Sequence, residues 1–156
     1  MPVALNTIES EKSVATLTTQ QATNQLLDYA ATHPNTIVCF HASDMCLYID
    51  SDASYLSVIK SRSRAGGYYY LSDKANSTKP PTNHTPNAVL HALCITLCNV
   101  MASAAEAELG ALFYNGQVYG PICTCLEEMG YPQHSTPIKT DNSTLAGIVH
   151  LSILQM

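Results

Sequence analysis

Charged residues are scarce in this chain, with 7 Lys and Arg and 12 Asp and Glu among 156 residues. The places where acids fall therefore carry information. Asp52 ends an apolar, strand-like run over residues 45–52, and Asp141 ends a further expected strand over 136–141. Glu108 lies between them in a stretch rich in Ala, Leu and Glu. At about 100° per residue, Glu108 centres a helical face shared with Ala104, Ala105, Ala111, Leu112, Asn115 and Tyr119. That face has the small apolar residues that pack on a sheet. Glu106 points about 160° away, beside Gly110, Phe113 and Gln117, and reads as solvated. Burying a lone carboxylate costs several kcal/mol unless something pairs with it. Asp52 and Asp141 are acids too, so the natural counter-charge is a divalent cation such as Mg²⁺, which takes oxygen ligands in octahedral geometry. Three unrelated surface acids would give the same spacing. Asp50 also competes, being on the same strand face as Asp52.

The remaining chemistry is sparse. The net charge of −5 supplies no global field for capturing nucleic acid. Five of the seven basic residues (Lys60, Arg62, Arg64, Lys74 and Lys79) fall within about 20 positions. Either this is a solvated loop, or Lys60, Arg62 and Arg64 form a local edge that contacts phosphate. The six cysteines lack the paired spacing of a zinc site, so buried, reduced thiols are expected. The chain opens on no secretory segment and has no apolar run long enough to span a bilayer. An intracellular setting, cytoplasmic or nuclear, is expected, and the Asn-x-Ser/Thr triplets at Asn76, Asn83 and Asn142 are then incidental. Charged residues make up 12% of the chain, against an ordinary ~25%. So few charges fit a domain that sits within a larger polypeptide, although neutral polar residues also solvate a surface.

These side chains need elements to hold them. A length of 156 residues suits one domain. Residues 1–15 are polar and unpatterned. A helix is expected over 18–32, closed by His33-Pro34 because the residue before proline avoids the helical region. Strands are expected over 36–40, 45–52, 68–71 and 88–99, the last leaving a helical reading open. Gly66-Gly67 leads into the third of these. Residues 72–87, with three prolines, read as a loop. A helix follows over 102–129 with Ser103 as its N-cap, and Gly120-Pro121 should break or kink it. A strand over 136–141 and a helix from Asn142 complete the order. The expected fold is α/β: a mixed sheet of three antiparallel meander strands, a crossover helix and a further parallel strand.

Across about residues 24–148 the chain resembles the ribonuclease H domain of copia-type retrotransposon polyproteins. The likeness rests on NQLLDYAATHP, FHASDMCLYIDSDASYLS, KSRSRAGGYYYLSD, SAAEAELGALF and PIKTDNSTLAGI taken together. It implies two-metal hydrolysis, with Mg²⁺ or Mn²⁺, of the RNA strand of RNA–DNA hybrids. Asp52, in Ser51-Asp52-Ala53-Ser54, matches the aspartate that bridges both metals. Glu108, before Leu109, matches the helix glutamate. Asp141, in Thr140-Asp141-Asn142-Ser143, matches the third acid. Lys60, Arg62 and Arg64 become candidates for backbone phosphates. The resemblance also implies that residues 1–35 are the tail of a connection from an upstream reverse transcriptase domain, and that 36–156 form the ribonuclease H-like domain.

The likeness has limits. The family uses a fourth acid on a helix after a fifth strand, and neither is legible before Met156. A C-terminally truncated, incomplete fold with weak or absent activity is therefore expected. The competing expectation is an inactive remnant serving as a structural or nucleic-acid-binding module. Other nuclease or integrase chemistry on the same broad fold is disfavoured by a helix Glu lying between two strand aspartates. Asp50 and the 72–87 loop find no role in this scheme.

Overall fold

The computed structural model describes residues 1–74 and 87–143. The chain divides into two compact units, Met1–Val38 and Cys39–Met156.

The first unit is helical. Helix α1 spans Pro2–Ser10 and α2 spans Leu17–Thr32, with a short 3₁₀ turn at Lys12–Val14 between them. The first of these departs from the unpatterned start read from sequence. Pro2 sits in the first turn of α1, where its missing N–H costs nothing. Helix α2 opens on a capping box. The Thr19 amide donates to Thr16 Oγ1 (3.4 Å), and the Thr16 amide donates to Thr19 Oγ1 (3.2 Å). It ends at His33, ahead of Pro34, as the sequence predicts.

Among the described residues, the second unit is a four-stranded sheet with one long helix against it. Strand β1 spans Cys46–Val58, β2 Arg62–Ser72, β3 Val89–Thr96 and β4 Ile138–Lys139, and helix α3 spans Ala104–Glu128. The strand order is β3-β2-β1-β4. The β1–β2 and β2–β3 pairs are antiparallel, and β4 runs parallel to β1 after the α3 crossover. This is a ribonuclease H-like α/β topology, with three meander strands and a further parallel strand.

Alternation along β1 divides the sheet into two faces. Leu47 and Ile49 of β1 join Tyr69, Leu71 and Leu126 in one core cluster; Ala65, Leu97 and Ala111 form a second, against which Ala53 packs. These residues face α3. Asp50, Asp52 and Ser54 therefore point to the opposite face, where Tyr48 and Tyr70 are buried but the end carrying Asp52 and Ser54 is open among the described residues. Across β2, Arg64 lies opposite Ser54 and Gly66 opposite Asp52. Tyr69 and Asn115 join the α3 face to the sheet. The Tyr69 hydroxyl donates to Asn115 Oδ1 (2.7 Å), and Asn115 Nδ2 donates to Ser51 Oγ (2.9 Å) and to the Gly66 carbonyl (3.0 Å).

Four expectations need correction. Residues 36–40 form no strand: they join no ladder, and Ile37 stays 79% exposed. Strand β1 does not stop at Asp52 but continues to Val58, because Ala53, Ser54 and Val58 find partners on β2. Gly66 and Gly67 lie inside β2 instead of leading into it. Helix α3 runs through Pro121 unbroken. A proline inside a helix costs about 3 kcal/mol; here Ile122 and Leu126, packed on the sheet, offset it from the following turn.

Strand β4 pairs with β1 at only two positions, Ile49↔Ile138 and Asp50↔Lys139. Gln133 extends that seam with its side chain. Its Oε1 accepts from the Leu47 amide (3.0 Å), and its Nε2 donates to the Met45 carbonyl (3.0 Å). Most of the loop expected over 72–87 and of the helix expected from Asn142 lies outside the described residues. Among the described residues, no helix is long and apolar enough to cross a membrane.

Candidate metal centre

Strand β4 ends at Lys139, opposite Asp50, while β1 runs on. Past that point the β1 edge has lost its parallel neighbour. The Ala53 amide is satisfied there by a side chain, donating to Glu108 Oε1 at 3.2 Å. Helix α3 delivers that carboxylate because its start is fixed. Ser103 Oγ accepts from the Glu106 amide (3.1 Å), the N-cap read from sequence. Glu108 then falls in the second turn, facing the sheet.

Asp52 arrives from β1 and Asp141 from just beyond β4. One carboxylate oxygen from each of Asp52, Glu108 and Asp141 lies within 4.8 Å of the others. Glu108 is only 6% exposed, while the two aspartates are exposed. Glu106 is exposed, and its Oε2 accepts from the Ala102 amide (2.6 Å). The helical wheel thus separates the two glutamates correctly.

Glu108 Oε2 is buried with no hydrogen-bond partner. An orphaned anionic oxygen is among the most costly features a core can hold. The Glu108 carboxyl is pushed above its ordinary range, first by burial and further by the charges of Asp52 and Asp141. The Ala53 amide and the nearby Thr140 hydroxyl pull the other way. A hard cation resolves the conflict, and the donor set is all oxygen, as Mg²⁺ or Mn²⁺ prefers. Octahedral Mg²⁺ with ligands at about 2.1 Å holds its oxygens no more than about 4.2 Å apart. The three oxygens lie within 4.8 Å of one another, near that limit, and the two aspartates are exposed.

Two outcomes follow from the orphaned oxygen. Glu108→Gln keeps an acceptor for Ala53 and turns the orphan into a donor facing two carboxylates. It should stabilise the metal-free protein at neutral pH by about 1–2 kcal/mol, while removing any rise in Tm on adding Mg²⁺ or Mn²⁺. Glu106→Gln should change neither; equal effects on metal binding would mean that the helix presents a different face. The second outcome concerns pH. A carboxyl whose folded pKa is raised binds its proton more tightly folded than unfolded. Its contribution is therefore present below the ordinary carboxylate value of about 4.3 and lost as pH rises towards the raised folded value. Metal-free protein should lose stability over that window, and Glu108→Gln should lose less. Urea titrations at several pH values in EDTA measure both; a flat difference between the two proteins would refute the assignment.

The other residues singled out from sequence fall as follows. Arg62 and Arg64 lie on β2, on the open face with Asp52, both half-buried. Lys60 is exposed in the tight connection between β1 and β2, with a left-handed φ of 62°. Asp50 shares the open face two residues from Asp52. The cysteines are free, as expected, but none is buried: Cys39, Cys98 and Cys125 are exposed and the other three intermediate. Cys94 is on β3, an edge strand, and Cys125 lies on an outward part of α3. Sequence reasoning passed over Gln133 and Lys139, whose places depend on the β1–β4 register.

No family model, no curated protein and no solved structure matches this chain. What the structure itself establishes is a small α/β domain of ribonuclease H-like topology with a clustered acidic triad able to coordinate a divalent metal.

Proposed function

We propose that this domain is a divalent-metal-dependent phosphodiesterase that hydrolyses the RNA strand of RNA–DNA hybrids, in the manner of the copia-type ribonuclease H domains it resembles. The observation that carries the reading is the buried, unpartnered Glu108 Oε2, set between two exposed carboxylates where β4 parts from β1. Glu108 is the fixed member of the triad, with one oxygen tied to the Ala53 amide. Asp52 and Asp141 close from either side. Mg²⁺ or Mn²⁺ held there would activate water and offset charge on the phosphate. Arg62 and Arg64, with Lys60 at the turn, contact backbone phosphates. Recognition of the hybrid by shape and 2′-hydroxyls needs no base-specific pocket. On this reading residues 1–35 belong to the connection from a reverse transcriptase domain within one polyprotein.

A labelled RNA–DNA hybrid incubated with the protein and Mg²⁺ or Mn²⁺ tests this. Cleavage confined to the RNA strand, absent on duplex DNA and stopped by EDTA, is the expected result. The alternative is a catalytically inactive module with a structural or nucleic-acid-binding role, favoured by a cluster of three acids among the described residues where the family uses four. Metal-dependent stabilisation without cleavage would select it. No effect of metal on Tm would dismiss the nuclease reading.

A further inference from the structure

The open face of the sheet poses an electrostatic problem. Asp50, Asp52 and Asp141 are all acidic, the chain carries a net charge of −5, and the proposed substrate is a polyanion. Beside a bound metal, fixed cations that flank such a cluster would help a phosphate approach it. Arg64 stands on one side, on β2 opposite Ser54. On the other side stands Lys139, on β4 opposite Asp50.

Lys139 belongs to the open face. Its neighbour Ile138 packs into the core cluster on the α3 side, so alternation turns Lys139 the other way. It is exposed. Although Asp50 is its partner in the ladder, no ion pair within 4.0 Å joins Lys139 to Asp50. The Lys139 ammonium is thus held near the acids on a paired strand without being consumed by them.

We propose that Arg64 and Lys139 hold the phosphates on either side of the one at Asp52, so that a nucleic-acid strand crosses the open face obliquely from β2 to β4. This rests on the reading of the site as a nuclease centre. Strands lie about 4.8 Å apart and residues rise about 3.3 Å along them. Arg64 and Lys139 are two strands apart and four residues apart along β1, a diagonal of roughly 16 Å with Asp52 near its midpoint. Given the reach of both side chains, that distance spans about two to three nucleotides. Arg62, opposite Val58, lies farther along the same line and extends the track.

The test is binding of a fluorescent RNA–DNA hybrid to the full chain by anisotropy, in EDTA so that no cleavage intervenes, across a salt series. Arg64→Gln and Lys139→Gln are each expected to weaken binding about 3- to 10-fold and to reduce the slope of log K against log salt by about one. The double variant should lose about twice that slope. Lys12→Gln, which removes the same charge from the helical unit, should match the unmodified protein. The rise in Tm caused by Mg²⁺ should survive in Lys139→Gln. Hybrid bound normally by Lys139→Gln overturns the proposed track and leaves the nuclease reading standing. The track is likewise overturned if the variant loses the metal effect with its salt slope intact, since Lys139 would then serve the acids and not the phosphate. If the unmodified protein binds no hybrid at all, the nuclease reading falls and the track falls with it.

Discussion

Asp52→Asn is expected to reduce metal-dependent cleavage of an RNA–DNA hybrid by a thousandfold or more, about 4 kcal/mol or more of transition-state stabilisation. The substitution keeps the shape of the side chain and removes the charge that a metal needs. Asp52 is exposed on the open face, and its backbone is held in the β1–β2 ladder opposite Gly66. The fold should therefore be indifferent to the change, and the unfolding free energy from urea titration in EDTA should stay within about 0.5 kcal/mol of the original. Loss of one of three nearby acids also relieves Glu108, whose carboxyl is held up partly by the charge of Asp52. The rise in Tm on adding Mg²⁺ should shrink in the same variant. Cleavage that survives Asp52→Asn would remove this residue from the site, whatever the other two acids do.

The second large effect is structural. Gly67→Ala should destabilise the protein by about 2–4 kcal/mol. A Cβ at Gly67 would collide with Asn115 Oδ1, lie 2.9 Å from Asn115 Cγ and 3.0 Å from Tyr69 Cε2. Asn115 cannot step aside. It is fully buried, and its amide is committed to Ser51, Gly66 and Tyr69 at once. Moving it strands several buried polar groups in a low-dielectric interior. Gly66→Ala provides the contrast, since a Cβ there meets only the Asp52 carbonyl, at an ordinary 3.6 Å. Asn115→Ala removes the obstacle but orphans its partners. The two changes should thus be strongly non-additive in a double-mutant cycle measured by urea unfolding. Equal costs for Gly66→Ala and Gly67→Ala would mean that backbone freedom, and not the approach of Asn115, sets the need for glycine.

The acid triad was legible because so few charges compete for attention. A helical period of 3.6 residues was enough to turn Glu108 inward and Glu106 outward. Ser103 was legible as a cap for the same local reason. The strand pattern of the meander and the parallel return could likewise be read from apolar runs and the intervening helix.

Features set by partners far away in sequence were not legible. Asp50 and Asp52 looked like the end of a strand, yet pairing with β2 carries the strand to Val58. Residues 36–40 have strand-like composition but no ladder to join. Pro121 looked like a break, whereas packing of the turns on either side keeps the helix whole. Lys139 lay within the strand expected over 136–141 with no role assigned to it. Only its alignment with Asp50 shows that it borders the acids.

The side-chain clasp made by Gln133 has a consequence for chemistry. A ladder of two residue pairs is a poor ruler: sliding β4 by one position would sacrifice little backbone bonding. Such a slip would also exchange the faces of its residues, turning Thr140 outward and swinging Asp141 beneath the sheet, away from Asp52. By gripping Leu47 and Met45 several residues upstream, a neutral amide acts as the stop that indexes the strand. The alignment of a carboxylate at one end of the seam is thus set by a glutamine at the other.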